Sequence, residues 1–308
     1  MSEASLIAID WGTSNLRASL LDAAGRPIET RNSAAGIMAV PERRFRQVLL
    51  SLCGDWIDGR RVPLIASGMI GSRQGWVEAP YIDSPADLAA AATQLTRVEV
   101  APGAVLHIVP GISGLGDDGV HDVMRGEETQ LWGAGLASGS CCVLPGTHSK
   151  WVWLGPAGSI ERFQTFMTGE LYSVLTRHSI LGRLMHFGAA RPAVFDDGVR
   201  LGLAQHANAA HVIFAARTAG LKGKVDAEGL PDYLSGILIG IEIGSVLARH
   251  PLRDVALLGD DALCERYRAA LRIADVGTTH ASPDATTRGQ WQVAVQAGLV
   301  EEKRACKV

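Results

Sequence analysis

Apolar runs broken by short polar turns recur along this chain, and the first of them is the most informative. Leu6-Ile7-Ala8-Ile9 ends on a lone Asp10, and Gly12-Thr13-Ser14-Asn15 turns the chain into a second apolar run through Leu16, Ala18, Leu20 and Leu21. The pattern predicts a β-hairpin, then a second turn over residues 22–26 and a third strand near Ile28 to Arg31. The period then lengthens. Phe45, Val48, Leu49, Leu52 and Trp56 fall on one face of a helix predicted over Phe45 to Ile57. Val62 to Ser67 reads as a short apolar strand that runs into the glycine-rich stretch Gly68 to Trp76. Pro85 to Leu95 reads as an alanine-rich helix, and Val105 to Val109 as another strand.

In the second half, a helix is predicted to open at Gly126 with Glu127 and Glu128 in its first turn, where acids suit the positive end of the helix dipole. Ser140 to Leu144 and Trp151 to Leu154 form a second hairpin around the turn Pro145-Gly146-Thr147-His148-Ser149-Lys150. Phe163 to Leu181 reads as a turn leading into an amphipathic helix, followed by helices over Asp196 to Arg217 and Leu230 to Arg249. A strand from Asp254 ends at Gly259-Asp260-Asp261, a helix follows over Ala262 to Leu271, and a last helix is expected over Trp291 to Lys303. Its Ala294, Ala297 and Gly298 are expected to form a close-packing face. Gly114-Leu115-Gly116-Asp117-Asp118-Gly119 matches G-x-G-x-x-G formally, but its aspartates would oppose a pyrophosphate and no clear helix opens from it. A loop is expected there.

Composition narrows the class. At 308 residues, with 47% hydrophobic and 20% charged residues, the chain has room for two domains. A net charge of −3 without a basic stripe speaks against nucleic acid or an anionic membrane as partner. Its cysteines (Cys53, Cys141, Cys142, Cys264 and Cys306) include no C-x-x-C pair, which fits a reduced, cytoplasmic protein without disulfides or zinc. No basic n-region with an apolar h-region opens the sequence. The apolar stretch Gly236 to Ala248 is short of a bilayer span and contains Glu242, so a buried helix is expected.

Three stretches carry candidate chemistry. In the first turn, hydroxyls, an amide and main-chain N–H groups surround one carboxylate, which suits a phosphate accompanied by Mg²⁺. By itself the same stretch is an ordinary hairpin turn. Glu127 and Glu128 are either dipole-complementing surface acids or an acid/base group facing a ligand. Arg73, in a loop after a strand, is a candidate partner for a substrate carboxylate or one half of a structural ion pair. His148 alone reads as structural, and no Walker A run is present.

Taken in order, the Asp10 hairpin, the acid-bearing helix, the Gly146 hairpin, the strand–Gly259–helix turn and the closing small-residue helix resemble the actin, Hsp70 and sugar-kinase superfamily over nearly the whole chain. Ile9 to Asn15, Gly68 to Trp76, Asp122 to Glu128, Pro145 to Trp151 and Phe166 to Leu171 resemble the 2-dehydro-3-deoxygalactonokinase family more narrowly. The resemblance implies an α/β fold of two actin-like, ribonuclease H-like domains with a nucleotide cleft between them. They are expected over residues 1–138 and 139–290, with the helix at 291–308 packing back near the hinge. It also implies transfer of the ATP γ-phosphoryl group to the 6-hydroxyl of 2-dehydro-3-deoxy-D-galactonate, in D-galactonate catabolism. On that reading Asp10 holds Mg²⁺, while Gly12, Thr13, Ser14, Asn15, Gly146, Thr147 and Lys150 meet the phosphates. Gly259 and Asp260 lie against adenosine, and Glu127 or Glu128 accepts the hydroxyl proton. Ser67, Gly68, Arg73, Thr168 and Gly169 are assigned to the sugar acid. The resemblance allows a homodimer. A phosphoanhydride hydrolase on the same scaffold and a non-catalytic sugar or nucleotide sensor are the alternatives.

Overall fold

The structure is a computed structural model that describes residues 4–58, 62–281 and 284–301. Cys306 and the last residues of the expected C-terminal helix lie outside them. The chain forms two compact units, one of Met1–Ser140, Trp153–Phe163 and Ala281–Val308, the other of Cys141–Val152 and Gln164–His280. Residues 153–163 and 281–290, expected in the second domain, thus belong with the first unit.

The first unit contains β1 (Ala4–Trp11), β2 (Leu16–Asp22), β3 (Pro27–Ser33), α1 (Phe45–Ile57), β4 (Leu64–Ser67), β5 (Tyr81–Asp83) and α2 (Leu88–Thr93). It continues through β6 (Thr96–Ala101), β7 (Ala104–Ile108), β8 (Gly111–Leu115), β9 (His121–Met124) and α3 (Glu127–Ala134). Its main sheet has the order β3-β2-β1-β4-β7-β6. β1 sits inside that sheet, antiparallel to β2 and parallel to β4, so Leu6 to Ile9 and Trp11 are buried as one continuous run. The register sets Asp10 opposite Arg17 on one side and Ser67 on the other. α1 covers the sheet with Phe45, Leu49 and Cys53 stacked one turn apart, and Phe45 meets Trp11 edge-on at 5.7 Å. The expected helix at 85–95 is shorter because Asp87 caps it by accepting from Ala90 N–H. Gly114, expected in a loop, lies in β8 of a small β5-β8-β9 sheet; the turn comes only after Leu115.

The five-stranded sheet orders β10 (Cys141–Leu144), β11 (Ser149–Leu154), β12 (Ile160–Phe166), β13 (Asp254–Leu257) and β14 (Gly277–His280) as β12-β11-β10-β13-β14. Between β12 and β13 run α4 (Thr168–His178), α5 (Pro192–Ala204), α6 (Ala209–Val212), α7 (Ala215–Leu221) and α8 (Leu230–Arg249); α9 (Asp261–Ile273) joins β13 to β14. The single helix expected over Asp196 to Arg217 is broken at residues 205–208. Asn208 there bonds back to the carbonyl and side chain of Gln205, a local alternative to helical pairing. α5 and α8 approach through glycines: a Cβ on Gly236 would lie 2.2 Å from Phe195 O, and one on Gly202 2.3 Å from Ile237 O. α8 passes a length-and-apolarity test for crossing a bilayer, yet 78% of its most apolar window is buried within the protein.

The last helix, α10 (Ala285–Gln296), returns to the first unit and packs on α3. It starts earlier than the expected Trp291 because its close contact is made by Gly289, where a Cβ would stand 1.8 Å from Thr129 O. Gly133 of α3 reciprocates, with Ala285 O at 1.9 Å from its Cβ position. Gly298, expected on a packing face, instead lies beyond the helix with open space around it.

Candidate active site

The turn after β1 has its carbonyls held from behind. Ile37 N–H donates to Gly12 O (3.0 Å), Met38 N–H to Thr13 O (3.3 Å) and Gly36 N–H to Ser14 O (3.2 Å). In a planar trans peptide the N–H points opposite to its carbonyl. The N–H groups of Thr13, Ser14 and Asn15 therefore face away from residues 36–38. Successive N–H groups on one side of a turn are a geometry that suits an anion. The side chains of Thr13, Ser14 and Asn15 are exposed, and with Asp10, Gly12 and Arg17 they line a cavity of about 700 Å³.

Asp10 ends β1 beside this turn. Burial pushes its carboxyl above the usual range, and the Arg17 guanidinium pulls it partly back. Among the described residues its carboxylate accepts no hydrogen bond. A magnesium ion carried on a nucleotide needs one or two carboxylates, with waters and phosphate oxygens completing its shell. The single Asp10 fits that requirement. Among the described residues there is no group of three or more His, Cys, Asp and Glu side chains able to hold a metal.

Ser67 and Gly68, at the end of β4, adjoin Asp10. Gly68 has φ +95°, and a Cβ on it would meet Trp11 O at 2.9 Å and Asp10 Oδ1 at 3.6 Å. Gly126, with φ +108°, opens α3 so close that its Cβ would be 3.1 Å from Gly68 Cα. Only glycine combines these backbone angles with this approach. Gln290 of α10 ties the group from beneath, its Nε2 donating to Ile9 O (2.6 Å) and Ser67 Oγ (2.9 Å).

The two acids at the start of α3 differ sharply. Glu128 is 0% exposed, accepting from Gly126 N–H (2.6 Å) and Thr129 Oγ1 (2.9 Å). Burial, with the neighbouring Glu127 charge, pushes its carboxyl up to about 7. Glu127 is half-buried and accepts from Arg125 N–H at 3.0 Å. A group that takes a proton from a substrate must come within about 2.6–3.2 Å of it. Glu127 has the exposure for that contact; Glu128 lies beneath it. Arg73 is largely exposed, 3.5 Å from Glu78. Arg125, by contrast, is buried over the Tyr81 ring and donates to Ala79 O, clamping the segment that follows Gly68 onto the strand before α3.

In the second unit, the turn between β10 and β11 rests against the start of α4. Glu170 N–H donates to Thr147 O (2.9 Å), and a Cβ on Gly169 would be 2.4 Å from Gly146 O. Lys150 is buried, its Nζ 3.4 Å from His148 O. His148 pairs with Glu170. The β13–α9 turn joins this group, since a Cβ on Gly259 would lie 3.5 Å from Pro145 O. Asp260 is exposed and caps α9 by accepting from Leu263 N–H. Thr168 and Gly169 therefore stand with the Gly146 turn. Together with Tyr172, Leu238, Leu263 and Tyr267 they line a pocket of about 210 Å³.

The chain matches the family model described as 2-keto-3-deoxy-galactonokinase over residues 10–293. It belongs to that family. The 2-dehydro-3-deoxygalactonokinase of Escherichia coli K12 is 36% identical over 298 residues, covering 95% of each chain. A crystal structure of a Sinorhizobium meliloti protein described as a putative 2-dehydro-3-deoxygalactonokinase superposes with a TM-score of 0.87 at 36% identity, covering 94% of this chain and 98% of that one. The fold is accordingly the α/β fold of that family.

Motif reading missed the residues that support these turns. Gln290 left no signal, being one polar residue before an apolar helix. Tyr172, Leu238 and Tyr267 sit on helices whose inward faces look like core. Glu242 did leave one: it is the only acid within Gly236 to Ala248.

Proposed function

We propose that the protein is an ATP-dependent kinase that phosphorylates the 6-hydroxyl of 2-dehydro-3-deoxy-D-galactonate, a step of D-galactonate catabolism carried out in the cytoplasm. The observation that carries this reading is the convergence of Asp10, the outward N–H groups of the Gly12–Asn15 turn, Gly68 and the first turn of α3 in one unit. It brings an anion-binding turn, a carboxylate suited to Mg²⁺ and a carboxylate suited to a hydroxyl within one small region. Family membership supports the choice of acceptor.

Phosphoryl transfer depends mainly on position and on charge neutralisation. Thr13, Ser14 and Asn15 would bind the terminal phosphates through their N–H groups, and Asp10 would hold the nucleotide's Mg²⁺. That ion, when bound, neutralises charge developing on the phosphate oxygens. Glu127 would accept the proton of the acceptor hydroxyl, with Glu128 beneath it fixing Gly126 and hence the start of α3. Ser67 and Gly68 would position the sugar acid, and Arg73 would pair with its carboxylate. In the second unit Gly146, Thr147 and Lys150 would meet the phosphates. The pocket lined by Tyr172, Leu238, Leu263 and Tyr267 would receive the base, with Gly259 beside it.

The test is ADP release from MgATP with 2-dehydro-3-deoxy-D-galactonate, with its gluco epimer, and with no acceptor. Release that requires the galacto acid, or strongly favours it, is the expected result. Release without acceptor would replace this reading with a phosphoanhydride hydrolase. No release with any acceptor would point to a sensor.

A further inference from the structure

α4 carries apolar residues on two faces. Tyr172 and Leu175 pack inward against the second unit's core, on the side of the buried Thr168 and Thr176. Met167 at the N-cap, Leu171 and Val174 lie on the other side, 50%, 39% and 45% exposed, and the exposed His178 follows them. Steps of four, three and four residues keep these positions on one stripe, the spacing of a coiled-coil seam. A surface helix ordinarily turns polar residues outward. Here the outward stripe is apolar for most of a helix about 16 Å long.

The borders of this stripe differ. One runs into the unit's own core through Thr168 and Leu175. The other carries Glu170 and Arg177, which a separation of seven residues sets on the same flank. Within one helix they stand about 10 Å apart along the axis and do not meet. Arg177 is exposed and its guanidinium has no ion pair among the described residues. Glu170 pairs with His148 through Oε2, and its Oε1 has no partner among the described residues.

A second α4 laid antiparallel along the stripe satisfies both charges. Glu170 then faces Arg177 of the partner subunit, Arg177 faces Glu170 of the partner subunit, and Leu171 and Val174 meet across the seam. A parallel copy would set Glu170 against the flank of Thr168 and Leu175 and leave both charges unpaired. A two-fold axis crossing the helix pair generates the antiparallel arrangement and closes it at two copies.

We propose that the outward face of α4 is the contact between two copies of this chain, packed antiparallel with Glu170 and Arg177 paired across the two-fold axis. The contact stands whether or not the protein is a kinase. One helix pair of this length is at the low end of interface size, so a reversible dimer with Kd of about 1–100 µM is expected.

The experiment is sedimentation velocity of the full chain over a range from about 1 to 200 µM. The wild type should pass from one chain to two as concentration rises, and the dimer should weaken in high salt. Val174→Glu puts a carboxylate into the seam at a position exposed in the single chain, so the thermal midpoint followed by circular dichroism should hold while the dimer weakens at least about tenfold. Glu170→Lys and Arg177→Glu each set like charges against one another twice, and each should weaken the dimer at least about tenfold. Combined in one chain they restore opposite pairing, and Kd should return to within about threefold of wild type. A wild type that stays a single chain throughout overturns the proposal. So does a dimer indifferent to Val174→Glu, which would lie on another surface. A double variant no tighter than the single ones overturns the antiparallel charge pairing, and with it the assignment of this face.

Discussion

Replacing Glu128 by Gln should stabilise the protein in a way that depends on pH. The buried carboxyl titrates near 7 in the folded chain against an ordinary value near 4.5. Between those values the native state holds more protons than the unfolded one, so stability falls as pH rises through the interval. Ionisation of Glu128 costs nothing well below 4.5, and its cost is fully present above 7. Integrating over the two values, the wild type loses about 2.5 kcal/mol more than a non-titrating variant between pH 5 and pH 8. Gln preserves the local geometry: its carbonyl oxygen accepts from Gly126 N–H, and its amide donates to Thr129 Oγ1. The assay is urea denaturation of wild type and variant at pH 5 and pH 8, followed through the tryptophans. The advantage of the variant over wild type should be larger at pH 8 by roughly that amount. An identical difference at both pH values would refute the account of Glu128 as a buried, proton-holding carboxyl. Glu127 and its charge remain in both proteins, so the comparison isolates the buried group.

Four further outcomes follow from the same geometry. Glu127→Gln should lower kcat by roughly 10²–10⁴-fold, and Glu128→Gln by less; steady-state kinetics showing the reverse order would transfer the proton-accepting role to Glu128. Asp10→Asn should cut MgATP-dependent turnover by at least about 10²-fold without lowering the thermal midpoint, since it removes a carboxylate that burial disfavours. Gly289→Ala would push a methyl group onto Thr129 O and should cost about 1–3 kcal/mol in denaturant titration, with a loss of activity as α3 is displaced. Arg73→Lys should raise KM for the sugar acid several-fold through loss of paired N–H donors, while changing stability by less than about 0.5 kcal/mol at so exposed a position; an unchanged KM would remove Arg73 from the substrate.

The sequence by itself determined the elements whose local signals are strong. The hairpin around Gly12 is specified by apolar runs on both sides of a polar turn, and α1 by its helical spacing. α8 begins and ends where its apolar pattern does, because Pro231 suits the first turn and the run ends at Arg249 and His250. The order of the phosphate turns and of the acid pair was equally legible, since each motif is local. Only the tertiary structure decided what depends on residues distant in the chain. The N–H groups of the first turn face outward because residues 36–38 hold its carbonyls, a pairing that no local pattern encodes. α10 begins at Ala285 because Gly289 lies against α3, about 160 positions away in sequence yet in contact in space. Glu127 and Glu128 are adjacent and chemically identical, and helix geometry alone turns one outward and buries the other. Glu242 looked like one misplaced acid in an apolar helix until Ser149, Trp151, Thr168 and Tyr267 were seen to converge on it. A buried charge persists where several donors meet it, and such a meeting exists only once the chain has folded.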